Sequence, residues 1–165
     1  ISTSIAASRK IFSIKDEHIV NGIKNISLKA RLEEIKSGKL KDIAGNNKLI
    51  IDGGHNISAS VSIANWVKNQ NDEVNLIVGM MKDKEHEEFM KAFENIVNSI
   101  TLIDIPNQNG AITKEDFRKK LDNFKLNLKL SNGIKESIRS LSKNENTIIL
   151  CLGSLYLAGE ILSLN

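Results

Sequence analysis

The sequence predicts an α/β domain built on an open, largely parallel sheet with helices on both faces. Two observations carry this. Strand-like and helix-like segments alternate through five rounds after about residue 45. The strand-like segments are continuous apolar runs rather than alternating ones, as expected when helices cover both faces of a sheet. A Rossmann-like sheet of this kind binds ligands beyond the carboxyl ends of its strands, so the residues that follow each strand are where chemistry is expected.

The strand-like runs are 49–52, 74–80, 100–105, 126–130 and 147–152, rich in Leu, Ile and Val and bounded by Gly, Asp, Pro or Asn. Helix-like segments lie between and after them. Residues 58–68 place Val61, Ala64 or Asn65, and Val67 near helical spacing, and 85–97 repeat Phe89, Met90, Phe93, Ile96 and Val97 as the stripe of a helix laid on a sheet. Thr113, three residues before Asp116, starts a helix running to Leu121, and 132–141 carry Ile134, Ile138 and Leu141. The last helix spans 155–164. Upstream, 1–12 and 16–26 are helical in character, and 37–47 reads as a loop insertion with its glycines, asparagines and aspartate.

Composition narrows the class of function. A 41% hydrophobic content over 165 residues supports one globular domain with a short extension. A single cysteine, Cys151, excludes an internal disulfide and a thiolate zinc cluster, as expected of a cytoplasmic protein. The net charge of +3 is dispersed among 23 basic and 20 acidic residues, and the densest cluster, Arg118-Lys119-Lys120, reads as a solvated helix face. Nucleic-acid binding is not expected. No run approaches the roughly 20 apolar residues of a membrane helix. The chain begins at Ile1 without a leader and reads as a piece of a longer protein.

The polar strand ends carry the candidates. Asp52 opens Asp52-Gly53-Gly54-His55-Asn56, and on local spacing it reads as a helix cap, because a short acid satisfies free helix-terminal N–H groups. Gly53-Gly54 lacks the third glycine of a dinucleotide fingerprint. His55 and Asn56 add an imidazole and an amide that a turn does not need. Lys82, Asp83 and Lys84 follow the second run, where they suit either an anionic ligand or a solvated helix entrance. Ser154 precedes an apolar helix and reads as its N-cap rather than as a nucleophile, since no elbow pattern surrounds it. His86 lacks the second histidine of a metalloprotease helix and His18 has no ligand-spaced neighbour, so no metal site is expected from this chain. A phospho-accepting receiver is disfavoured, because Asp52 stands alone after its strand and the last strand ends in Gly-Ser.

Taken together, ARLEEI (30–35), IDGGHN (51–56), VGMMKDKE (78–85) and CLGSLYLAGEIL (151–162) occur in the order seen in folylpolyglutamate synthase and bifunctional dihydrofolate synthase. The chain therefore resembles the C-terminal domain of that branch of the Mur ligase superfamily. The resemblance implies that residues 1–28 are the tail of a preceding ATPase domain and 29–165 the glutamate ligase domain. It implies a cytoplasmic, monomeric parent that uses ATP and Mg2+ to join L-glutamate to folate or dihydropteroate through an acyl phosphate. Arg31 and Asp52 match the family's ATP-contacting arginine and aspartate; His55, Ser154 and Lys84 match positions associated with glutamate. Gly54 stands where the family usually has Ala, Ile57 where it has Pro, and Leu28-Lys29-Ala30 replaces a Trp-Pro-Gly-like approach. No GxxxxGK[ST] occurs, so the phosphate cradle and the magnesium ligands are expected in the preceding domain, and this chain alone is expected to be inactive. A non-catalytic ligand-binding or interaction module is the alternative.

Overall fold

The computed structural model describes residues 2–26 and 28–165; Ile1, assigned to the first helical segment, lies outside them. Two N-terminal helices, α1 (Ser2–Ile11) and α2 (Asp16–Lys24), contribute no buried residue. The sheet follows, with β1 (Glu33–Ile35), α3 (Lys39–Ala44), β2 (Lys48–Ile51), α4 (Ile57–Lys68), β3 (Val74–Val78), α5 (His86–Lys91) and β4 (Ser99–Leu102). The chain ends with α6 (Lys114–Lys120), β5 (Leu128–Leu130), α7 (Ile134–Leu141), β6 (Ile148–Leu152) and α8 (Leu155–Leu164).

The six strands form one sheet in the order β1-β2-β6-β3-β4-β5. All neighbours are parallel except β1, which pairs antiparallel with β2 in the register Glu33↔Ile51 and Ile35↔Leu49. The expected architecture therefore holds, with one reversed strand added at an edge. β3, β4 and β6 are buried throughout, which is why they read as mainly apolar runs, with Asn75, Ser99 and Thr101 as buried polar exceptions.

Helices α4, α5 and α6 share one apolar cluster, in which Phe89, Phe93 and Phe117 are wholly buried; α3, α7 and α8 share a second cluster with Leu40, Ile138 and Ile161. Alternate residues of the central strands feed the two: Leu76, Val78 and Leu150 go to the first, Ile77, Ile149 and Cys151 to the second. Each large side chain so buried contributes on the order of 1.5–3 kcal/mol.

Four expectations need correction. Residues 37–47 are not simply a loop, since they contain α3, whose Leu40 and Ala44 are buried between flanking glycines. The reversed strand β1 was not foreseen. Val61 is half exposed, and the buried stripe of α4 is Ser60, Ile63, Ala64 and Val67. α5 ends at Lys91, and Phe93, Ile96 and Val97 pack from turns around Asn95, which sits at φ 59°. Thr113 caps α6 as expected, its Oγ accepting from the Asp116 N–H at 3.2 Å.

Candidate functional site

Three adjacent parallel strands, β2, β6 and β3, bring their carboxyl ends together. The backbone stitches the loops that leave them: Asp52 N–H donates to the Cys151 carbonyl at 2.9 Å, Gly153 N–H to Gly54 at 3.1 Å, and Gly79 N–H to Leu152 at 3.3 Å. This packing leaves no room at Gly153, where φ is +107° and an added Cβ would lie 2.7 Å from the Gly79 carbonyl oxygen.

Asp52 is 6% exposed and its carboxylate spans two loops. Oδ1 accepts from Gly54 N–H at 2.6 Å and Oδ2 from Leu32 N–H at 2.8 Å. The helix-cap reading of Asp52 is therefore overturned, because the residue capping α4 is Asn56, whose Oδ1 accepts from Ala59 N–H at 2.9 Å. A Cβ at Gly54 would stand 2.8 Å from Asp52 Oδ1, so glycine permits this close approach of amide to carboxylate.

The reversed strand places Arg31 at this same edge. In a parallel strand only the residues that follow it reach the carboxyl edge; because β1 runs the other way, the residues that precede it do so. Arg31 lies between Ala30 at φ 51° and Leu32 at φ 44°, two non-glycine residues in the left-handed region. Each costs roughly 1–2 kcal/mol. The turn is held by Leu32 on Asp52, by Gly53 N–H on the Ala30 carbonyl at 2.9 Å, and by Ala30 N–H on Glu33 Oε2 at 2.8 Å. The Arg31 guanidinium donates to the Ala30 carbonyl at 3.0 Å and lies over Gly53. The Lys29 ammonium, and secondarily the Ala30 N–H, hold the Glu33 carboxyl below the ordinary carboxylate value.

Two recesses open here. One of ≈ 260 Å³ is lined by Arg31, Asp52, Gly53, Gly54, His55 and Asn56 with the first turns of α4. The other, ≈ 290 Å³, is lined by His55, Met81, Asp83, Lys84, Ser154, Leu155 and Tyr156. His55 is common to both. Its Nδ1 lies 2.8 Å from the Gly53 carbonyl, which can only accept, so Nδ1 carries the proton and the neutral ring keeps Nε2 as its acceptor.

All five site residues expected from the sequence thus meet around two adjoining recesses. Ser154, 3% exposed, caps α8 through Tyr156 N–H at 3.1 Å, as its position implied. Lys84 is paired with Asp83 at 2.7 Å, and this bond keeps the Asp83 carboxyl below its usual range. Lys82 instead reaches the Asn109 carbonyl at 3.4 Å, and Asp104 receives Lys114 N–H at 2.9 Å, so neither lines a recess. Tyr156 was not singled out in the sequence; its place beside Ser154 at the start of the last helix was the available signal. A larger groove of ≈ 750 Å³ lies between α1 and α2, half of its lining residues isoleucines, and contains no strand-end residue. Among the described residues no three His, Cys, Asp or Glu side chains are grouped to hold a metal ion. Among the described residues no helix is long and apolar enough to cross a membrane.

Sheet order and paired recesses define an α/β domain of the Rossmann-like kind that gathers its polar strand-end residues on one composite wall. The chain belongs to the dihydrofolate synthetase C-terminal domain family, whose family model matches residues 36–164. A probable dihydrofolate synthetase of Schizosaccharomyces pombe is 24% identical over 161 residues, covering 91% of this chain and 37% of the relative. Among solved structures, a Mycobacterium tuberculosis folylpolyglutamate synthase complexed with ADP superposes with a TM-score of 0.77 at 16% identity, over 92% of this chain and 35% of that one. Escherichia coli FolC in complex with DHPP and ADP gives 0.75 at 18% identity, over 98% and 37%. The bifunctional folylpolyglutamate synthase/dihydrofolate synthase of Yersinia pestis, complexed with AMPPNP and Mn ion, gives 0.75 at 17%, over 92% and 35%. The chain thus spans little more than a third of the length of these relatives.

Proposed function

We propose that this chain is the C-terminal part of a cytoplasmic, monomeric ATP-dependent ligase that joins L-glutamate to the carboxyl group of dihydropteroate or folate. Residues 1–28 then belong to the tail of a preceding ATPase domain and 29–165 form the ligase domain. The observation that carries this reading is the pair of recesses joined through His55, one with a guanidinium and a buried carboxylate, the other with an ammonium, a hydroxyl and the imidazole.

The reaction moves the γ-phosphoryl group of ATP to the carboxylate, giving an acyl phosphate and ADP. The amine of glutamate attacks the acyl carbon, phosphate leaves with the C–O bonding pair, and the amine loses a proton as the amide forms. Most of the catalytic task is positioning and charge stabilisation. Arg31 suits the nucleotide phosphates, and Asp52, with lone pairs beyond its two backbone bonds, suits the ribose hydroxyls. His55 offers Nε2 toward the incoming glutamate ammonium, while Ser154 and Lys84 suit its carboxylates. A bound magnesium ion would neutralise phosphate charge, its ligands coming from the preceding domain. Closure of the two domains would exclude water from the acyl phosphate. Relatives of the same fold complexed with ADP, or with AMPPNP and Mn ion, support nucleotide use by the parent protein.

The test is ATP-dependent glutamate incorporation by the full-length protein, comparing dihydropteroate with tetrahydrofolate as acceptor. Asp52→Ala is expected to raise the ATP requirement and Ser154→Ala mainly the glutamate requirement. Unchanged kinetics in both variants would remove the site assignment; incorporation with neither acceptor would remove the ligase reading.

A further inference from the structure

We infer that Glu33 is a positioning residue for Arg31: its carboxylate locks the left-handed turn that aims the guanidinium into the Asp52 recess. The inference rests on the reading of Arg31 as the nucleotide-phosphate contact.

The geometry makes Glu33 more than a surface acid. Arg31 itself is exposed and, among the described residues, its guanidinium has one protein acceptor, the carbonyl of its own neighbour, so its direction is set by the backbone that bears it. That backbone is unfavourable on both sides, with Ala30 at φ 51° and Leu32 at φ 44°. Such a turn persists only when its surroundings over-determine it. Two carboxylates do so, one just past the end of β2 and one at the start of β1: Asp52 takes Leu32 N–H and Glu33 takes Ala30 N–H, both at 2.8 Å. Ala30 is 4% exposed, so its N–H has few other partners once Glu33 is gone. Glu33 is braced in turn by the Lys29 ammonium at 2.8 Å, one helical turn's spacing upstream. Asp52 also lines the recess directly, whereas Glu33 does not, so Glu33 acts on the nucleotide only through Arg31.

The carboxylate is needed as an acceptor of one particular length, and this separates the variants. Glu33→Gln keeps an oxygen within reach of Ala30 N–H. Glu33→Asp keeps the charge but falls one methylene short. In the full-length ligase, with initial rates measured against ATP at saturating glutamate and acceptor, Arg31→Ala and Glu33→Asp are each expected to raise KM for ATP roughly tenfold. Glu33→Gln is expected to stay within about threefold of the parent, and Glu33→Asp to leave KM for glutamate within about twofold. The double variant Arg31→Ala/Glu33→Asp should be no worse than Arg31→Ala alone, because the second change acts only through a side chain already removed.

An additive double variant, or an unchanged ATP KM in Glu33→Asp beside a raised one in Arg31→Ala, overturns the positioning role alone. An unchanged ATP KM in Arg31→Ala removes the phosphate-contact reading, and this proposal with it. Should Glu33→Asp fail to fold, Lys29→Met loosens the same carboxylate from outside; a rise in ATP KM of about two- to threefold supports the proposal and no rise overturns it.

Discussion

Gly153 is the position where the structure tolerates least, and alanine there tests how the strand ends are assembled. A methyl group at this residue meets a backbone oxygen, Gly79 O at 2.7 Å, and the Met80 Cγ at 2.8 Å. The backbone on either side of this carbonyl is tied down, the Gly79 N–H to the Leu152 carbonyl on the neighbouring strand and the Met80 carbonyl to the Ile112 N–H. The φ of +107° adds strain for any residue with a Cβ. Overpacking of about 1–3 kcal/mol and backbone strain of about 1–3 kcal/mol give a total near 4 kcal/mol. For a chain of this size that lowers the melting temperature by roughly 10 °C. Gly159, six residues on in α8, is the control: nothing lies within 4 Å of its added Cβ, and Gly159→Ala should raise stability by about 0.5–1 kcal/mol. Thermal unfolding followed by circular dichroism reads both variants. A Gly153→Ala protein melting within about 2 °C of the parent would refute the account of a close-packed strand-end junction.

His86 should make stability depend on pH. Burial pushes its imidazole below the ordinary value near 6.5, outweighing the Met81 carbonyl bond at 3.0 Å, and Phe117 meets the ring edge-on. The unfolded chain therefore binds the proton more readily than the folded one, so this contribution is complete above about pH 6.5 and lost as pH falls from there toward the folded value. Melting temperatures from pH 7.5 to 5 should show the loss, and His86→Gln should flatten it; an equal slope in the variant refutes the assignment. Asn56→Ala should cost about 1 kcal/mol by removing the α4 cap, and Asn56→Asp should retain most of it. Urea midpoints measure both, and an Asn56→Ala midpoint equal to the parent's would return the capping role to another residue.

Much of this fold was legible because the buried strands and the capped helices leave local traces. Thr113 and Ser154 each stand one residue before an apolar or charged helical run, and both cap it. What escaped has physical reasons. β1 is three residues long and carries two glutamates, so neither length nor periodicity marks it. α3 has a single turn and a half between Gly38 and Gly45, which outweigh its few apolar residues in a local reading. Beyond Lys91, the apolar spacing of Phe93, Ile96 and Val97 imitates a helix that the turn at Asn95 interrupts.

The site was legible in a similar measure. The strand-end rule selected Asp52, His55, Lys84 and Ser154 as neighbours, and the resemblance added Arg31. The capping role of Asp52 failed because its partner, Leu32 N–H, is 20 residues earlier, and Asn56 is better placed for Ala59. No local window contains that competition.

The order of the strands has a consequence for biosynthesis. β6 is the last of these six strands to leave the ribosome, yet it lies at the centre of the sheet between β2 and β3. Until it is made, the growing chain can hold only two partial sheets, each with an open edge where the other should be joined. The recess containing Ser154 cannot exist in such an intermediate, because its wall arrives with the closing strand. A product cut short before residue 148 would lose one side of this recess together with the middle of its core, so the polar strand ends and the fold stand or fall together.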